Sequence, residues 1–153
     1  MGKRCSEVEK AYAAGFLDAD GAIMATIEKH REKKFGFRVR VIVKITQRDQ
    51  KILNWFLKTF RVGKIRQNRT AHDWLIRDQK IVAEILGILM PYLKVKKFQA
   101  QKAIKILESS INSSKDLYRA ANLADALSRH NVRSNGRRKN FMIMIKEHCS
   151  RND

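Results

Sequence analysis

From Phe35 to Thr46 the chain keeps a strict alternation. Phe35, Phe37, Val39, Val41, Val43 and Ile45 fall at one parity, and Arg38, Arg40, Ile42, Lys44 and Thr46 at the other. Successive side chains of a strand point to opposite faces, so this pattern describes a half-buried antiparallel strand. One face rests on a core and the other meets solvent. Every formal charge on the outward face is positive, so the fold must contain a sheet that is apolar on one side and cationic on the other.

The neighbouring segments supply the partners. Ala22 to His30 places Ile23, Ala25 and Ile27 between Met24, Thr26, Glu28 and His30, and Arg31-Glu32-Lys33-Lys34 closes a hairpin to the long strand. A second hairpin, Val62 to Arg69 and His72 to Arg77, turns at Thr70-Ala71. In it Lys64, Arg66 and Asn68 flank Ile65, while Asp73, Leu75 and Arg77 alternate with Trp74 and Ile76. Helical spacing predicts Glu7 to Asp18, Asp49 to Phe60 (Ile52, Leu53, Phe56 and Phe60 inward), and Gln79 to Met90, which stops at the single proline, Pro91. Further helices are expected over Lys96 to Ser109, Ser114 to His130 and Phe141 to His148, with a basic loop from Asn131 to Asn140 between the last two. The order is αββαββα followed by more helices. The 153 residues read as one α+β domain, four antiparallel strands backed by helices, with no linker or low-complexity tract.

The first helix has two stripes. Ala11, Ala14, Gly15 and Asp18 form a small one, and Val8, Tyr12 and Phe16 a bulky one. The bulky stripe is expected in the helix's own core and the small stripe against another backbone, of this chain or of a second.

Charge narrows the partner. Thirty-three Lys and Arg against fifteen acids give +18, a field that favours a polyanion through phosphate contact and counterion release. No continuous basic amphipathic helix or lipidation signal points to a membrane, and the longest apolar run, Ile85 to Met90, is too short to span one. No secretory signal is visible, so the sequons at Asn68 and Asn112 read as chance matches. Cys5 and Cys149 stand apart, as free thiols of a reducing compartment would. His30, His72, His130 and His148 form no histidine nuclease motif, and there is no zinc-finger spacing or Gly-rich phosphate loop.

The outward face is chemically mixed. Arg38, Arg40, Lys44, Lys64, Arg66 and Arg77 stand among Thr26, Glu28, His30, Asn68 and Asp73. Arginine suits guanine edges and asparagine adenine, so the face is read as a β-ribbon for base recognition in double-stranded DNA. Lys33 in the first hairpin loop, and Arg137, Arg138 and Lys139 in the late basic loop, would extend the grip onto phosphates.

Chemistry centres on Ala13-Ala14-Gly15-Phe16-Leu17-Asp18-Ala19-Asp20-Gly21, which occurs once. A helix of small and apolar residues ends on two acids and a glycine, at the negative end of its dipole. A divalent cation would compensate them. This stretch resembles the signature of the LAGLIDADG homing endonucleases, with Ala13 where a leucine is usual. The likeness extends through Thr46-Gln47-Arg48-Asp49-Gln50-Lys51 and Pro91-Tyr92-Leu93-Lys94-Val95-Lys96-Lys97 to about Ala103, nearest to the single-motif type.

The resemblance implies the LAGLIDADG fold, with its four-stranded DNA-binding sheet. It assigns metal binding to Asp20 and the Gly21 carbonyl, water positioning to Gln47, and charge stabilisation to Lys51 and Lys96; Lys51 stands where arginine is usual. Asp18 is read as structural or interfacial. Single-motif members form homodimers through their signature helices, so the resemblance assigns Ala11, Ala14, Gly15 and Asp18 to a C2 interface. It further implies Mg2+, with Mn2+ substituting, cleavage of both strands of a long pseudo-palindromic site to leave 3′ overhangs, and residence in an intron of an organelle or prokaryote. The alternatives are an intron-RNA-binding maturase and a cleavage-dead DNA-binding regulator on the same fold.

Overall fold

The computed structural model describes residues 5–131 and 140–152. Arg137, Arg138 and Lys139 lie outside them. Helix α1 (Glu7–Asp20) starts with a reciprocal cap. The Ser6 hydroxyl accepts the Glu9 N–H at 3.2 Å and the Glu9 carboxylate accepts the Ser6 N–H at 2.8 Å. The helix continues through Asp20, two residues beyond the expected end, and gives way to strand at Gly21. A Cβ built on Gly21 would lie 2.3 Å from Leu17 Cδ1 and 2.8 Å from the Leu17 carbonyl oxygen. Only glycine lets helix and strand meet so closely.

The chain then runs β1 (Gly21–Lys29), β2 (Phe37–Gln47), α2 (Gln50–Phe60), β3 (Lys64–Asn68), β4 (Ala71–Ile76), α3 (Gln79–Leu89), a 3-10 turn (Met90–Tyr92), α4 (Lys97–Glu108), α5 (Ser114–His130) and α6 (Phe141–Asn152). The four strands form one sheet in the order β1-β2-β4-β3, antiparallel throughout. Register puts Gly21 beside Ile45, Thr26 beside Arg40, Glu28 beside Arg38, and Asp73 between Thr46 and Arg66. The mixed polar set therefore lies on one face, as the alternation predicts.

β2 outruns β4, and one side chain takes the place of the missing strand. The Gln79 amide accepts the Val41 N–H at 2.7 Å and donates to the Val41 carbonyl at 2.9 Å. The inner face packs Ile23, Ala25, Ile27, Val41, Val43, Ile45, Trp74 and Ile76 beneath the helices, all buried. Phe56 of α2 is buried in an aromatic cluster, its ring 4.9 Å from Trp74 and 5.6 Å from Phe16. Trp74 Nε1 donates to the Val62 carbonyl at 2.9 Å, which satisfies its buried polar atom. At the far end the buried Asp125 of α5 accepts the Phe141 and Met142 N–H groups and holds the start of α6.

Helix α1 departs from its expected orientation. Ala13, Ala14 and Leu17 are fully buried, whereas Val8 is 78% and Tyr12 50% exposed. The helix packs on β1, β2 and α3, and that close approach admits alanine. Phe16 alone of the bulky stripe joins the core, while Tyr12 leans edge-on against Trp55 at 5.0 Å. Because Phe56 fills the centre of the aromatic cluster, Phe56→Ala is expected to cost about 3–5 kcal/mol. Urea unfolding with an unchanged slope would measure it, and a loss below about 1 kcal/mol would remove Phe56 from the core account.

Candidate active site and nucleic-acid interface

Asp20 stands exposed at the C-terminal end of α1, whose last turn carries no basic residue. The β1–β2 register brings the end of β2 beside it, and Gln47 Nε2 donates to Asp20 Oδ2 at 2.9 Å. Lys96 reaches the same helix end and its Nζ donates to the Asp18 carbonyl. Asp20, Gln47 and Lys96 are thus gathered around one turn of α1. Lys51 is not tied to them: its side chain is exposed, at the rim of a groove of about 570 Å³ that Val8, Tyr12, Ile52 and Trp55 also line.

The donor set suits a hard divalent cation in part. Asp20 supplies carboxylate oxygen at a negative helix end, and the adjoining Gly21 supplies a carbonyl. Among the described residues no group of three or more His, Cys, Asp or Glu could hold a metal. One chain therefore offers ligands without a cage. Mg2+ accepts such a site, since it retains waters and takes one or two carboxylates plus phosphate oxygens.

The interface residues divide. Ala11 and Gly15 are exposed, and a Cβ on Gly15 would meet nothing within 4 Å. Ala14 is fully buried in its own core and Asp18 is engaged within the chain, so neither side chain belongs to the exposed stripe. Ala19, one turn beyond Gly15, completes that stripe and is exposed. The α1 spacing marks it, once the inward side of the helix is known.

On the sheet, Lys64 and Arg66 are exposed and Arg38, Arg40, Lys44 and Asn68 half-buried; Lys33 in the hairpin loop and Arg77 just past β4 are also exposed. Glu28 lies 3.9 Å from Arg38. Thr26 Oγ1 and His30 Nδ1 are buried without a hydrogen-bond partner, so those atoms do not face the surface. Asp73 is the clearest correction. Its parity points outward, yet it is fully buried, because longer neighbours close over it. Thr46 Oγ1 donates to Asp73 Oδ1 at 2.6 Å, while Asn68 Nδ2 at 3.1 Å and Arg66 Nε at 3.4 Å donate to Oδ2. Asp73 therefore orients Arg66, Asn68 and Thr46 from beneath the surface. Thr46, outward on the long strand but absent from the expected contacts, belongs to this cluster.

Burial pushes the Asp73 carboxyl up, but the Thr46 and Asn68 hydrogen bonds, the Lys44 charge and the Arg66 contact outweigh it and hold the group below the usual carboxylate range. A folded pKa below the unfolded one means that the ionised group stabilises above the unfolded value, and that this is lost as pH falls through the folded value. Asp73→Asn is expected to cost about 1–3 kcal/mol at neutral pH, with the deficit closing in acid below pH ~4. Paired urea titrations across that range measure it; a deficit independent of pH would refute the ionised role.

The chain is similar to known proteins in sequence and in fold. Residues 13–110 match the LAGLIDADG endonuclease family. DNA endonuclease I-CreI of Chlamydomonas reinhardtii is 34% identical over 101 residues, which span 63% of this chain and 61% of that protein. DNA endonuclease I-CvuI of Chlorella vulgaris is 31% identical over 125 residues, 78% of this chain and 77% of its own length. A crystal structure of homing endonuclease I-CvuI in complex with the I-CreI target, in the presence of 2 mM Mg and with DNA not cleaved, superposes with a TM-score of 0.83 at 25% identity, covering 95% of this chain and 94% of that one. The archaeal intron-encoded homing endonuclease I-Vdi141I complexed with DNA shares the fold, with a TM-score of 0.80 at 20% identity over 94% of this chain and 98% of that one. Signature helix, sheet register and sequence profile converge: the chain belongs to the LAGLIDADG endonuclease family.

Proposed function

We propose that this chain is a site-specific homing endonuclease, encoded within an intron of an organelle or prokaryote. It acts as a homodimer on a long, nearly palindromic DNA duplex and hydrolyses both strands to leave 3′ overhangs. The observation that carries this reading is the Asp20–Gln47 pair, set at the end of a cationic sheet with Lys96 on the same helix turn. The relatives add support, since the Chlorella enzyme was crystallised on DNA with Mg and with Ca. An intron-encoded DNA endonuclease of Saccharomyces cerevisiae, aI3, also matches at 28% identity over 67% of this chain and 25% of its own length.

Asp20 and the Gly21 carbonyl would hold Mg2+, or Mn2+ in its place, which supplies charge neutralisation at the phosphate and a more acidic water. Gln47, anchored on Asp20, orders solvent beside the scissile phosphate. Lys96 and Lys51 stabilise negative charge there. Arg38, Arg40, Lys44, Lys64, Arg66, Asn68 and Arg77 grip and read the duplex, and Thr26, Glu28, His30 and Lys33 flank them. One carboxylate per chain makes the second copy necessary for two cuts, and the exposed Ala11-Gly15-Ala19 stripe with Val8 and Tyr12 is the face through which it docks.

Asp20→Asn is expected to lower cleavage at least roughly a hundredfold and to keep DNA affinity within about threefold, because affinity rests on the basic sheet. Cleavage of a library of palindromic sites, with Mg2+ and with EDTA, tests this. Undiminished cutting by the variant would sink the assignment. DNA bound but uncut by the wild type would favour a regulator, and preference for intron RNA a maturase. Gly15→Leu tests the assembly. It replaces an exposed helical glycine and should gain about 0.5–1 kcal/mol of monomer stability, yet block close helix contact. Sedimentation should show a monomer without cleavage, and a fully active dimer would move the interface elsewhere.

A further inference from the structure

The Asp18 carboxylate is saturated by the chain itself. Its Oδ2 accepts the N–H groups of Lys94 at 2.8 Å and Val95 at 3.2 Å, and its Oδ1 accepts that of Lys96 at 2.8 Å. Lys96 is the N-cap position of α4 and makes no side-chain cap bond of its own. The carboxylate of another helix therefore supplies acceptors to the peptide run leading into α4, where the helix end carries partial positive charge. The same residue takes the other end of the lysine, since Lys96 Nζ donates to the Asp18 carbonyl. Lys96 is held by backbone and by ammonium on one residue, two positions before Asp20. With three donors on two oxygens, Asp18 has little left for a cation.

We propose that Asp18 is the positioning residue for Lys96, fixing the lysine to the turn of α1 that presents Asp20. This rests on the reading of Lys96 as a participant in DNA cleavage. Asp18 touches no reacting atom; it acts by closing the 94–96 loop onto α1 and confining the ammonium. Asparagine at this position keeps the size but turns an amide N–H2 toward at least one of the loop N–H groups. The loop is then released and the lysine with it.

The test is a double-mutant cycle of wild type, Asp18→Asn, Lys96→Ala and the double variant, read as the single-turnover cleavage rate on saturating DNA with Mg2+. Hydrogen exchange of the 94–96 amides, without DNA or metal, is read on the same four proteins. Asp18→Asn is expected to slow cleavage on the order of tenfold to a hundredfold with unchanged DNA affinity, and to accelerate exchange at 94–96. In the Lys96→Ala background it should cause no further loss of rate, which a general structural defect would not produce. Should Asp18→Asn fail to fold, Asp18→Glu, which keeps the charge one methylene farther out, carries the same cycle. Multiplying losses, or 94–96 amides as protected in the variant as in the wild type, would overturn the proposal. Lys96→Ala cutting at the wild-type rate would overturn it together with the catalytic role of Lys96. If wild type cleaves no DNA, the endonuclease reading falls instead, and the exchange measurement alone decides whether Asp18 holds the loop.

Discussion

The pairing of Gly21 with Ile45 sets the placement of the sheet and of the acid beside it. It joins the end of α1 to the start of β1 with no intervening loop, in a junction too tight for a Cβ. From that point the pleat decides which residues of β1 and β2 face the helices and which face out. It also brings Gln47 against Asp20 at 2.9 Å. A slip of one residue would turn the arginines inward and separate the amide from the acid, so the buried core and the exposed site are selected by the same register.

The cationic face is organised from below. Exposed basic side chains repel one another and sample many rotamers, which favours grip over discrimination. Asp73 counters this on β4, where that strand lies between β2 and β3. A single buried carboxylate, fully hydrogen-bonded, draws an arginine, an asparagine and a threonine into one arrangement. Toward the β1–β2 hairpin, Arg38 has only Glu28 beside it on the neighbouring strand, half exposed and 3.9 Å away. The two halves of the face thus differ in how firmly their side chains are set.

Strand alternation was legible because its period is short and its apolar set large; α5 matches its expected bounds for the same reason at the helical period. What local pattern cannot supply is the third dimension. Two stripes on α1 are both visible in the sequence, but only the approach of β1, β2 and α3 decides that Ala14 goes inside and Tyr12 stays out. Asp73 has the correct parity for a surface residue and is buried by the length of its neighbours. Asp18 is satisfied by N–H groups 76–78 positions away, so no spacing near the signature helix announces its role. The motif residues Asp20, Gln47 and Lys96 are marked by family likeness, and the fold brings them to one turn of helix. Lys51, marked in the same way, is exposed at the groove rim.

The Gln79 amide has a consequence beyond the sheet it completes. Where β2 runs past β4, its main chain offers unpaired N–H and carbonyl groups to any extended segment that drifts by, and a long strand with β-branched residues is a ready template for aggregation. By occupying both polar groups of Val41, Gln79 denies that edge a central docking point. The longest strand thereby loses the midpoint of its open edge as a template for another chain.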